Sequence, residues 1–122
     1  MGTAEFSTIF EPGSTALKIA TKLRELVFSS FSDIDETLSG GAKVKLVLYS
    51  RGGKNNVLCG IQLSKDGACM LYVHHVPTIA HERLKFSGSG KHAKRIKFFN
   101  EDEVLSEDIV WLFRQVEKNA PF

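Results

Sequence analysis

The residues of this chain best suited to chemistry lie in one basic, glycine-punctuated stretch, Arg83 to Phe98. Its centre reads Gly88-Ser89-Gly90-Lys91-His92-Ala93-Lys94-Arg95. The stretch holds six of the sixteen lysines and arginines and no acid. Two glycines let successive backbone N–H groups converge as a nest, and nearby cations add charge. Gly88, Ser89, Gly90, Lys91, Lys94 and Arg95 therefore form a candidate site for a small phosphate- or carboxylate-bearing ligand. The same composition also suits a plain connection into a strand whose outward residues are Lys and Arg. A P-loop is excluded. Its first glycine would have to stand at Lys85 and its hydroxyl at His92.

Metal chemistry has two further candidates. Asp33, Asp35 and Glu36 cluster after the first apolar-periodic segment and offer oxygen to a hard cation, against the alternative of a solvated helix end. Cys59 and His74 fall opposite one another if the Asp66-Gly67 turn has two residues, which would make a thiolate–imidazole pair or a buried thiol beside a hydrogen-bonded imidazole. His74 and His75 are neighbours on a strand and point to opposite faces, so they do not share one ion. The chain has no HExxH, no CxxC, no nucleophile elbow and no carboxylate pair at readable spacing, and a non-enzymatic role is expected.

These residues must be positioned by few elements. Residues 1–13 read as an N-terminal arm closed by Pro12-Gly13, with Phe6, Ile9 and Phe10 able to dock on a body spanning 14–122. Ser14 is a suitable N-cap, and Ala16, Ile19, Ala20, Leu23, Leu26, Val27 and Phe31 recur mostly at helical steps. Alternation predicts strands over 43–50, 56–64, 68–75 and 94–99, and Ser106 as cap, followed by Glu107 and Asp108, marks a last helix. An Asp-Gly dipeptide favours a type I′ hairpin, which pairs Leu63 with Met70, Ile61 with Tyr72 and Cys59 with His74. Cys59 and Cys69 then lie on opposite faces and do not form a disulfide. The opposite face, with Cys69, Leu71 and Val73, is too apolar for water, and the arm or a second subunit is expected to cover it.

Two helices flanking an antiparallel sheet define an α+β two-layer sandwich of four to six strands, with both helices on one face. At 122 residues with a net charge of +2, 43% hydrophobic and 25% charged residues, the chain suits one ordinary globular domain. The charge is too small to call for nucleic acid. No apolar run approaches a membrane span and no signal peptide opens the chain, so a cytoplasmic location with free thiols is expected.

The order of helix, meander, glycine-basic loop, strand, acidic turn and final helix resembles the small YdhG-like family, largely a domain of unknown function, over about residues 14–118. Val57-Leu58-Cys59-Gly60-Ile61, Leu71-Tyr72-Val73 and the Gly88–Lys97 segment carry the resemblance. It implies a frataxin-like fold, and one branch of the family implies an intracellular iron-carrier role. Three functional expectations follow: a binding module for an anionic ligand at the basic loop, a frataxin-like iron carrier, and a structural homodimer joined through its open sheet face.

Overall fold

The computed structural model describes residues 9–39, 46–53, 55–64, 66–76, 79, 81–87 and 93–122. Helix α1 spans Thr15–Ser30. The Ser14 hydroxyl caps it as expected, accepting from the Leu17 N–H at 3.1 Å. Five strands follow: β1 Asp35–Ser39, β2 Leu46–Ser50, β3 Val57–Leu63, β4 Cys69–His74 and β5 Ala93–Phe98. A 3₁₀ turn, Glu101–Glu103, leads to helix α2, Ser106–Asn119. Leu105, with no side-chain bond, occupies the cap position there, so Ser106 is the first helical residue rather than the cap.

The strands form one antiparallel meander in the order β1-β2-β3-β4-β5, and both helices pack on one face of it. This is the α+β two-layer sandwich. Strand β1 was not legible in the sequence, because its five residues include a single apolar one, Leu38. Predicted strand residues 43–45 fall outside the described residues.

The hairpin register differs by one residue from the type I′ expectation. Ser64 donates its N–H to Ala68 at 2.8 Å, and Gly67 donates to Ser64 at 3.1 Å. Gly67 has φ +84°, whereas Asp66 does not enter the left-handed region. This is a three-residue loop ending on a left-handed glycine, the other common hairpin geometry. Cys59 accordingly pairs with Val73, Ile61 with Leu71 and Leu63 with Cys69.

That shift reverses the faces assigned to β4. Cys59, Ile61 and Leu63 now share the inner, helix-facing side with Cys69, Leu71 and Val73, and all but Leu63 are fully buried. A one-residue slip would have turned one of these apolar sets to water, so burial selects the register. The apolar surplus expected on the outer face therefore belongs to the core. Cys59 and Cys69 are on the same face, correcting the expectation, yet both are free and buried. Cys69 sits opposite Leu63, four residues from Cys59 or about 13 Å along the strand, beyond disulfide reach.

Ile9 and Phe10 are buried against the body, at 7% and 1% exposure, as the docking reading anticipated. Phe6 lies outside the described residues. On α2, Ile109, Leu112, Phe113 and Val116 form the buried stripe, and Phe31 from the end of α1 meets Phe113 at 5.2 Å between ring centres.

Candidate binding surface

Printed across the sheet, three rows of residues define its outer face. The middle row is Thr37–Leu48–Gly60–Tyr72–Arg95, and the next is Ser39–Leu46–Gln62–Met70–Lys97. Asp35 stands one step further along β1. Leu46, Leu48, Gln62, Met70 and Tyr72 are half-buried, and alternation places them on the side of the sheet away from both helices. Gly60 is required at the centre. A Cβ there would meet Leu48 Cδ2 at 3.1 Å and the Val47 carbonyl at 3.2 Å. The outer face is thus a shallow apolar strip in which Leu48 and Leu46 close over Gly60, with an acid on the β1 edge, and Arg95 and Lys97 on the β5 edge.

Of the basic stretch, Gly88, Ser89, Gly90 and Lys91 lie outside the described residues. The base of their loop is closed by a two-bond bridge: Ser87 donates to Arg95 at 2.8 Å and Arg95 donates back at 3.1 Å. Lys94 pairs with buried Val73 and Arg95 with Tyr72, so strand alternation sends the two cations to opposite faces. They do not grip one anion together, which corrects that part of the expectation. Among the described residues neither has a carboxylate within 4 Å. Lys97, by contrast, binds Asp66 at 3.0 Å. That bond, with help from Ser64 and the Ala68 N–H, lowers the Asp66 carboxyl to about 2.

The three acids do not converge either. Asp33 is exposed at left-handed φ +54°, Asp35 points to the outer face, and Glu36 points inward. The Glu36 carboxylate is only 2% exposed and fully engaged. Arg24 grips it through Nε at 2.6 Å and Nη2 at 3.1 Å, and the Tyr49 hydroxyl donates at 2.8 Å. Burial, and then the hydrogen bond to Glu36 and its charge, push the Tyr49 hydroxyl far above its ordinary range. Phe28 completes the cluster, edge-on to Tyr49 and beneath the Arg24 guanidinium. This network ties α1 to β1 and β2. Among the described residues no group of three His, Cys, Asp or Glu side chains is placed to hold a metal ion.

The Cys59–His74 pair is not formed. Cys59 lies between Tyr49 and Val73 on the inner face, and His74, next to Val73, takes the outer side. Burial raises both thiols well above their ordinary range, so neither is a ready thiolate. His75 has φ +67° and ends β4, with Nε2 3.0 Å from the Val57 carbonyl and its ring edge-on to Phe122.

One cluster escaped the sequence reading altogether. Asp108, in the first turn of α2 and 6% exposed, receives Arg83 Nε and Nη2, each at 2.8 Å. His81 Nε2 approaches the same carboxylate at 3.6 Å, while His81 Nδ1 accepts the Arg83 N–H at 3.1 Å. Trp111 packs against the His81 ring at 4.8 Å between centres. Nδ1 is taken by the Arg83 N–H and Nε2 faces the Asp108 carboxylate from beyond hydrogen-bond distance, so the cluster fastens the 81–84 segment to α2. Residues 25 apart meet here, and no local pattern signals it. Beside it, a groove of about 260 Å³ runs between Leu84 and Lys85 on one wall and Ile96 and Phe98 on the other.

No helix among the described residues is long and apolar enough to cross a membrane. Comparison with family models, with curated proteins and with solved structures finds no match to this chain.

Proposed function

We propose that this protein is a non-catalytic interaction module whose contact surface is the outer face of the sheet. The observation that carries the reading is the strip of Leu46, Leu48, Met70 and Tyr72 around Gly60, which lies on the side of the sheet away from both described helices and which the corrected register leaves apolar at its centre and charged only at its edges. Surfaces with an apolar, aromatic-containing centre and a charged rim match the anatomy of protein contact sites. A photocrosslinking residue in place of Tyr72 should yield adducts with a protein chain in cells. The same residue in place of Arg114, exposed on α2, should yield none. Absence of adducts at 72, or adducts only within the same molecule, overturns the reading.

A second reading concerns the basic loop, and the Ser87–Arg95 bridge favours it by bringing the two flanks of residues 88–92 together. Here an anion is held by Gly88, Ser89, Gly90 and Lys91 together with Lys94, while Arg95 belongs to the opposite face. Phosphate should raise the melting temperature at low salt and lose that effect at high salt. Lys91→Ala with Lys94→Ala should abolish it, whereas Arg95→Ala should leave it intact. Loss of the phosphate effect in Arg95→Ala would contradict this division of the cations.

A further inference from the structure

The geometry assigns a partner to the outer face: a second copy of this chain, related by a two-fold axis that runs along β3, parallel to the strands. This rests on reading the outer face as the contact surface and adds who occupies it and in which orientation.

The charges select the axis. Asp35 is exposed on β1, at one edge, and Arg95 lies on β5, at the other. Rotation about an axis parallel to the strands lays β1 of one copy over β5 of the next, so Asp35 comes to the row of the partner's Ala93, two residues or about 7 Å along the strand from the partner's Arg95 and within the span of that long side chain. This happens twice by symmetry. A two-fold axis perpendicular to the strands would stack β1 on β1 and β5 on β5 and bring like charges together. Lys97 already has Asp66 and needs no partner.

Apolar complementarity follows from the same operation. Strand β2 comes to lie over β4 of the other copy, so Leu48 faces the partner's Tyr72 and Leu46 faces the partner's Met70, from the rows that each pair shares. On the axis, Gly60 opposes its own symmetry mate. Leu48 and Leu46 fold over it within each copy, so the axis is lined by leucine side chains from both sheets. Gln62, one row further, meets its mate, and two amides can donate to and accept from each other. Five strands about 4.8 Å apart and three rows about 7 Å apart give a patch of roughly 400 Å² per copy. That is about half of a standard interface, so the dimer should be reversible and concentration-dependent.

Sedimentation velocity over a wide concentration range should show the purified protein passing from monomer to dimer. Asp35→Arg alone and Arg95→Asp alone should each weaken self-association at least tenfold, because every cross-copy pair becomes a like-charge pair. Mixed in equal amounts, the two variants should form a heterodimer, since opposite charges again meet at both ends. Circular dichroism and melting temperature of each variant, expected unchanged, separate lost association from lost folding, and the heterodimer itself requires both to be folded. A monomer at every concentration overturns the inference, and adducts at position 72 with a different protein would then leave the contact surface standing. A dimer indifferent to both reversals, or variants that stay apart when mixed, overturns the two-fold arrangement.

Discussion

At the scale of single residues, the chain invests its acids in structure. Glu36 looked like one of three exposed oxygen donors, yet it is the inward member of an alternating pair and ends 2% exposed against Arg24. Removing one partner of a buried, bidentate ion pair strands the other charge, at a cost of about 3–5 kcal/mol. Arg24→Met should lose that much by urea denaturation, a large part of the roughly 5–15 kcal/mol available to a domain. Tyr49→Phe, which takes one donor from the same carboxylate, should lose about 1.5–3 kcal/mol. The double variant should lose less than the sum, because both act on Glu36. Asp66 and Asp108 make a separate prediction for acid. Lys97 is the chief cause of the low Asp66 value, and Arg83, with His81 beside it, holds Asp108 below its ordinary range. A carboxyl whose folded value lies below its unfolded one contributes stability that is complete above the unfolded value and vanishes as pH falls through the folded value. For Asp66 that window runs from 3.8 down to about 2. Stability should therefore fall with pH in this range, and Asp66→Asn should flatten part of the slope. A titration unchanged by the substitution would deny the pair with Lys97 any role.

At the scale of elements, α1, its Ser14 cap, α2 and four of the strands were legible because each carries its own period of apolar residues. Strand β1 carries none. Its place is fixed by Glu36 reaching Arg24 and Tyr49, a contact twelve and thirteen residues distant. The hairpin failed more instructively. An Asp-Gly dipeptide serves a two-residue loop with both φ positive, and equally a three-residue loop with only the glycine positive. The two differ by one residue, hence by the whole assignment of faces. The apolar pattern could have decided it, since only the longer loop puts Cys59 and Ile61 on the same side as Cys69, Leu71 and Val73. The anion and thiol–imidazole proposals inherited the error or ignored alternation, as with Lys94 and Arg95. Gly67 now yields a sharp expectation. A Cβ there would touch nothing within 4 Å, so Gly67→Ala is penalised by its φ of +84° alone, by about 1 kcal/mol. Gly67→Asn should cost less, because asparagine tolerates the left-handed region. Equal losses from both in urea denaturation would mean that something other than backbone conformation is at stake.

At the scale of the whole molecule, three long-range ties hold the two layers in place: Arg24 to Glu36 across α1 and β1, Arg83 to Asp108 across the 81–84 segment and α2, and Arg51, which reaches the Ser32 carbonyl at 3.1 Å and Glu117 at 3.5 Å. Each joins parts of the chain that the sequence presents as unrelated. The start of the domain is the remaining question at this scale. Pro12-Gly13 reads as a boundary, but Gly13, at φ +76°, only turns the chain into α1, and Ile9 and Phe10 before it are part of the core. If these residues were an appended arm, truncating Phe10 would cost little. Phe10 is instead 1% exposed among the buried side chains, and deleting a buried phenylalanine ring costs about 3–5 kcal/mol in lost transfer energy and cavity. Phe10→Ala should therefore destabilise the protein as much as Arg24→Met does, in a single cooperative urea transition monitored by Trp111 fluorescence. Phe10→Leu, which keeps most of the apolar volume, should recover a good part of the loss. An alanine variant within 0.5 kcal/mol of the parent, the range of ordinary surface changes, would return Ile9 and Phe10 to the arm and move the boundary of the domain back to Ser14.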